Sequence, residues 1–81
     1  MSYRDRLINV FQRTFTIYVP AEQLVVLKYG DTTCLGTTWD SLQQMTLVLM
    51  IEEEFDTIIA IHDVAMIRSF DSALEVVSRT V

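Results

Sequence analysis

The chain's 81 residues carry a formal net charge of −5, with 51% hydrophobic and 21% charged residues, the balance of a globular chain rather than a disordered one. A single domain of that size, expected to span residues 1–81, buries only about 60–65% of its unfolded surface, which leaves little room for an enclosed active site. Residues 40–81 hold eight acidic groups against Arg68 and Arg79, a face that repels phosphate backbones and argues against nucleic acid and for a basic protein surface as partner.

The first residues, Ser2-Tyr3-Arg4-Asp5-Arg6, carry mixed charge and lead into no apolar core of signal-peptide length. Ser2 with Asp5 three positions on resembles a capping box, and Leu7, Ile8, Phe11 and Phe15 recur at helical spacing, which predicts a helix from about Tyr3 to Thr16. Thr14, Thr16, Ile17, Tyr18 and Val19 are β-branched or aromatic and weaken its end, and Pro20 disfavours a helical Val19, so a strand over residues 15–19 competes there.

From Pro20 to Trp39 the composition of Pro20, Gly30, Gly36 and four threonines is that of turns and an extended loop. A loop so long requires that its apolar residues reach the core. Residues 21–26 read as a short helical turn, with Leu27 and Leu35 as core anchors. Cys34, the single cysteine, can form no internal disulfide, fits a reducing cytoplasm, and is expected as a small buried or half-buried apolar side chain.

Asp40 is an acceptable N-cap for a second main helix running to about Phe55, and its carboxylate suits the positive end of the helix dipole. At about 100° per residue, Leu47, Val48, Ile51 and Phe55 share one core-facing arc in which Gln44 is the polar intruder. A second stripe of Leu42, Met45 and Leu49 ends in Glu52, and Ser41 falls on the border between the two. That stripe is either packed against the long loop or offered to partners. The longest apolar run, Leu47 to Ile51, is far short of the roughly 20 residues of a membrane span.

Asp56-Thr57 ends this helix, residues 58–61 form a short apolar connection, and residues 62–67 make one or two turns of a short helix. Ser69 then caps a last helix whose Phe70, Ala73, Leu74 and Val77 keep helical spacing. The fold expected is an all-α bundle of three main helices plus one short helix, with a long loop between the first two main helices.

From Asp40 onward the chain resembles an acyl carrier protein. The resemblance rests on Asp40-Ser41-Leu42, nine residues from Gln43 to Ile51, then Glu52-Glu53-Glu54-Phe55, Asp56 with Ile59, and Ile67, Ser69 and Phe70, collinear without a gap over about half the chain. The first half matches more loosely, through a helix of the right length, a turn near Pro20-Ala21-Glu22 and Leu35-Gly36 ahead of the serine. The tripeptide alone carries almost no information; its place at the start of an apolar helix with an acidic end does.

The resemblance implies a carrier rather than a catalyst. A phosphopantetheinyl transferase would use coenzyme A and Mg²⁺ to attach 4′-phosphopantetheine to Ser41, whose hydroxyl attacks the phosphate, and the arm's thiol would hold acyl groups as thioesters for a ligase, ketosynthase or acyltransferase. Trp39, Asp40 and Leu42 would form the attachment motif. Leu42, Met45 and Leu49 with Glu52 and Glu53 would be the docking surface for basic partners, and the carrier would be a cytoplasmic monomer. Unpaired N–H groups at a helix start also favour a phosphodiester's charge.

Departures from the family pattern are specific. Two residues, Thr37-Thr38 or Thr38-Trp39, are inserted before the aspartate, and Trp39 is expected to lean on the arm or the loop. Gln43 and Thr46 stand where fatty-acid carriers bear acids, the proline of the linker is Ala60, and the short helix has His62, Val64 and Met66. These point to a discrete carrier of a fatty-acid-like, polyketide or other specialised pathway. A peptidyl or aminoacyl carrier and an unmodified helical interaction module stay open.

Two other chemistries are weaker. Ser41, Asp40 and His62 lack the nucleophile elbow and the assembled base of a hydrolase, so no catalytic residue is assigned and His62 is read as a surface or boundary residue. Glu52, Glu53, Glu54 and Asp56 point around a helix instead of converging, so no metal site is assigned.

Overall fold

A computed structural model describes residues 2–16 and 18–81. Among the described residues five helices follow in order: α1 (Tyr3–Phe15), α2 (Ala21–Leu24), α3 (Ser41–Phe55), α4 (Ile61–Val64) and α5 (Phe70–Thr80). Three are long and two are single turns, and they enclose one contiguous core. Of the stretch in which a strand competed, α1 takes Phe15 and Thr16 is its extended C-cap; Ile17 lies outside the described residues. Among the described residues no helix is long and apolar enough to cross a membrane.

Each long helix starts where a side chain accepts an otherwise unpaired N–H. Ser2 Oγ accepts from Asp5 N–H at 3.1 Å for α1, and Asp40 Oδ1 accepts from Gln43 N–H at 2.9 Å for α3. Ser69 and Ser72 make a reciprocal capping box for α5. The end of α3 is a left-handed residue, Asp56 at φ 50°, ψ 53°, a conformation that an aspartate visits more readily than most L-residues.

The core is layered by chemistry. Phe11 of α1 sits among Phe15, Trp39 and Phe70, at ring separations of 5.8, 5.7 and 5.2 Å, within the range in which edge-on aromatic pairs attract. Leu47, Val48, Ile51 and Phe55 of α3 and Ala73, Val76 and Val77 of α5 complete it. Thr14 is buried on α1, and its hydroxyl donates to the Val10 carbonyl at 2.8 Å, so burial leaves no orphan.

The long connection between α1 and α3 is held by backbone bonds. Tyr29 N–H donates to Arg68 O at 2.8 Å, tying it to the start of α5, and Gly30 N–H and Trp39 O, then Trp39 N–H and Asp31 O, close residues 30–39 into a hairpin-like excursion. Thr33 and Thr37 form its tip, and Gly36 there takes φ +92°, which a side chain would strain. This excursion pairs Thr32 with Thr38 and returns Trp39 to the core.

Two expectations for the loop are overturned. Leu27 is a core residue, but Leu35 is 58% exposed, and Cys34 is exposed as well. Both sit at the tip that the Thr33–Thr37 bonds close away from the bundle, so their apolar character cannot bring them inside.

Candidate functional site

Asp40, Ser41 and Leu42 are all exposed at the start of α3. Ser41 is the first helical residue, directly after the N-cap. Asp40 is committed to Gln43 N–H, so its charge lies at the positive end of the helix and fixes where the helix starts. Gln44 N–H donates to the Asp40 carbonyl at 2.8 Å and closes the first turn.

Of the two places expected for Trp39, the arm or the loop, it takes the loop side: its side chain is 0% exposed and packs against Tyr29 of the loop as well as Phe11 and Phe15 of α1. The indole Nε1–H donates to Gln44 Oε1 at 2.7 Å, and Gln44 Nε2 donates to the carbonyls of Val64 and Ile67 at 3.1 and 2.9 Å. The physical reason is that a large aromatic with one donor enters a core when a partner for that donor is already there. Gln44 is that partner, and it joins the segment before Ser41 to the segment around and after α4.

Gln44 was legible only as a polar interruption of an apolar arc. A buried amide must find partners on both its oxygen and its nitrogen, and that requirement was the available signal for a structural bridge.

Leu42, Met45 and Leu49 are 76%, 59% and 60% exposed, so the second stripe of α3 is not covered by the loop. Glu53 is exposed beyond it. Glu52 is half-buried, and its Oε2 accepts from Ile59 N–H at 2.8 Å; it holds the α3–α4 connection as well as ending the stripe. That connection leaves Ile58 and Ile61 exposed while Ile59 is buried.

The other acids at this helix end have different partners. Glu54 pairs with Arg6 and Arg13 of α1, each at 2.9 Å, and Arg6 also donates to the Glu54 carbonyl at 2.6 Å and lies over the Phe55 ring. The Arg6 hydrogen bond, helped by Arg13 and opposed by partial desolvation, holds the Glu54 carboxyl below its ordinary range. Among the described residues no three of His, Cys, Asp and Glu come together as metal ligands would.

His62 is on the surface, as expected for a boundary residue, with its Nε2 3.7 Å from Asp63, which also pairs with Arg79 at 3.3 Å. A cavity of about 160 Å³ opens between Arg13, Met50, Glu53 and Glu54. At 1.5 Å rise per residue those α3 positions lie about 14–20 Å along the helix from Ser41, so this hollow is separate from the helix start.

No family model, curated protein or solved structure matches the chain.

Proposed function

We propose that the chain is a carrier protein, modified on Ser41 with 4′-phosphopantetheine from coenzyme A and presenting acyl groups to partner enzymes. The observation that carries this reading is the setting of one residue. Ser41 is exposed at the first position of a 15-residue helix, in the Asp-Ser-Leu that opens the half of the chain resembling acyl carriers, beside an uncovered apolar stripe.

The residues fit the group chemically. When attached, it supplies a thiol on a long arm that takes acyl groups as thioesters. Ser41 contributes an accessible hydroxyl as nucleophile in the active site of a phosphopantetheinyl transferase, which brings its own metal and base. The positive end of α3, at which Ser41 lies, would favour the charge of a phosphodiester attached there. Asp40 caps the helix so that the hydroxyl is held at a fixed end of a rigid rod.

Leu42, Met45, Leu49 and Glu53, with Glu52 at the stripe's end, offer a partner an apolar strip bordered by acids. An acyl-loading ligase, ketosynthase or acyltransferase with a basic rim around an apolar cleft is the complement. The acidic second half of the chain favours acyl over aminoacyl cargo, and the lone cysteine suits a cytoplasmic setting.

Co-expression with a broad-specificity transferase, followed by the mass of the intact protein, tests the reading. The expected result is a single phosphopantetheine increment that Ser41→Ala abolishes.

A further inference from the structure

Resting on the carrier reading, we propose that this bundle keeps its cargo outside itself, and that the acyl groups it takes are short or polar rather than long alkyl chains. Ser41 borders the buried arc of α3, and Gln44, about one turn further along, is the buried residue of that arc nearest to it in the helix. Gln44 is 9% exposed, and its amide is engaged at both ends: Oε1 accepts from Trp39 Nε1–H at 2.7 Å, and Nε2 donates to Val64 O at 3.1 Å and Ile67 O at 2.9 Å. One side chain therefore closes the seam between the start of α3 and residues 64–67.

Behind this latch Trp39, Leu47 and Ile67 are each 0% exposed. An alkyl chain has no donor or acceptor. To pass the latch it would part the three bonds and leave an indole N–H, an amide and two backbone carbonyls facing hydrocarbon, the arrangement that folded interiors avoid. Outside, the same helix offers apolar ground at Leu42, Met45 and Leu49, the strip that the partner would cover. A long chain lying there would compete with docking, whereas a short or polar group stays in solvent and leaves the strip free.

The latch is testable without any transferase. Ser41→Cys in a Cys34→Ser background carries one thiol, which methyl, octyl and dodecyl methanethiosulfonates convert to mixed disulfides of rising chain length. Trp39 is the chain's single tryptophan, so its emission reports on the latch directly. The three adducts are expected to share one emission maximum and one thermal unfolding midpoint. An emission maximum that moves with chain length, as a chain threading past the indole must produce, would overturn the proposal.

Gln44→Leu in the same background removes the polar latch and is expected to make the emission depend on chain length; should that variant not fold, the adducts of the parent still decide. Failure of the carrier reading registers elsewhere, as a missing mass increment on the wild-type chain, because the adducts form whether or not a transferase recognises it.

Discussion

Trp39 and Ser41 are two positions apart, yet one is wholly buried and the other exposed. The reversal is possible because Asp40 between them is an extended N-cap, which turns the chain from the core into the helix start. Gln44 makes the arrangement specific, since it alone accepts the indole N–H and ties it to the carbonyls of Val64 and Ile67. Gln44→Ala should therefore cost about 1–3 kcal/mol for the groups it orphans, measured as a lower urea midpoint with an unchanged slope. A loss within experimental error would mean that water replaces the amide and that the bridge has no structural weight. Periodicity located the buried arc of α3 correctly, but it carries no information on which polar residue has partners, so Gln44 was seen as an interruption and its bond to Trp39 was not seen at all.

At the scale of elements, the helices were legible because their signals are local. Ser2, Asp40 and Ser69 precede the apolar periodicity that each caps, and all three accept the expected N–H. Asp40→Ala should lower stability by about 0.5–2 kcal/mol, whereas Asp40→Asn keeps the cap and should cost less. Equal losses in chemical denaturation would show that charge, not capping, is what Asp40 contributes. Glu54 clamps α1 to α3 through Arg6 and Arg13, with its carboxyl held below the ordinary range chiefly by the Arg6 bond. A carboxylate depressed in the folded state contributes fully above its unfolded value of about 4.3, and that contribution is lost as pH falls through the lower folded value. Glu54→Gln should thus narrow the gap in stability between neutral pH and pH below that range; an unchanged acid profile by thermal melts would contradict the clamp. The loop was the least legible element, because turn composition fixes that the chain bends and not which apolar residue faces inward. Leu27 lies against the core and Leu35 at a tip that backbone bonds close outward.

For the whole molecule, the distribution of charge and apolar surface decides what it can meet. The uncovered stripe of Leu42, Met45 and Leu49 lies on the same helix as exposed Glu53, in the half of the chain that holds most of the acid. Leu49→Asp should leave the unfolding midpoint nearly unchanged, since a surface substitution away from the core is usually worth within about 0.5 kcal/mol. It should nevertheless slow modification or acyl loading by a partner enzyme, an effect read as a raised KM in a coupled assay. Equal rates for Leu49→Asp and wild type would remove the stripe from the docking surface. An exposed stripe beside a core arc is two options in the sequence, and only packing distinguishes them: Leu24 and Leu27 of the connection enter the core and Leu35 sits at its tip, while the stripe stays bare.

The central claim is that Ser41 is a nucleophile for another enzyme. Intact-protein mass after co-expression with a broad-specificity phosphopantetheinyl transferase measures it most directly. The account predicts one phosphopantetheine increment on the wild-type chain and none on Ser41→Ala; an unmodified wild-type mass, or an increment that survives the substitution, would contradict it.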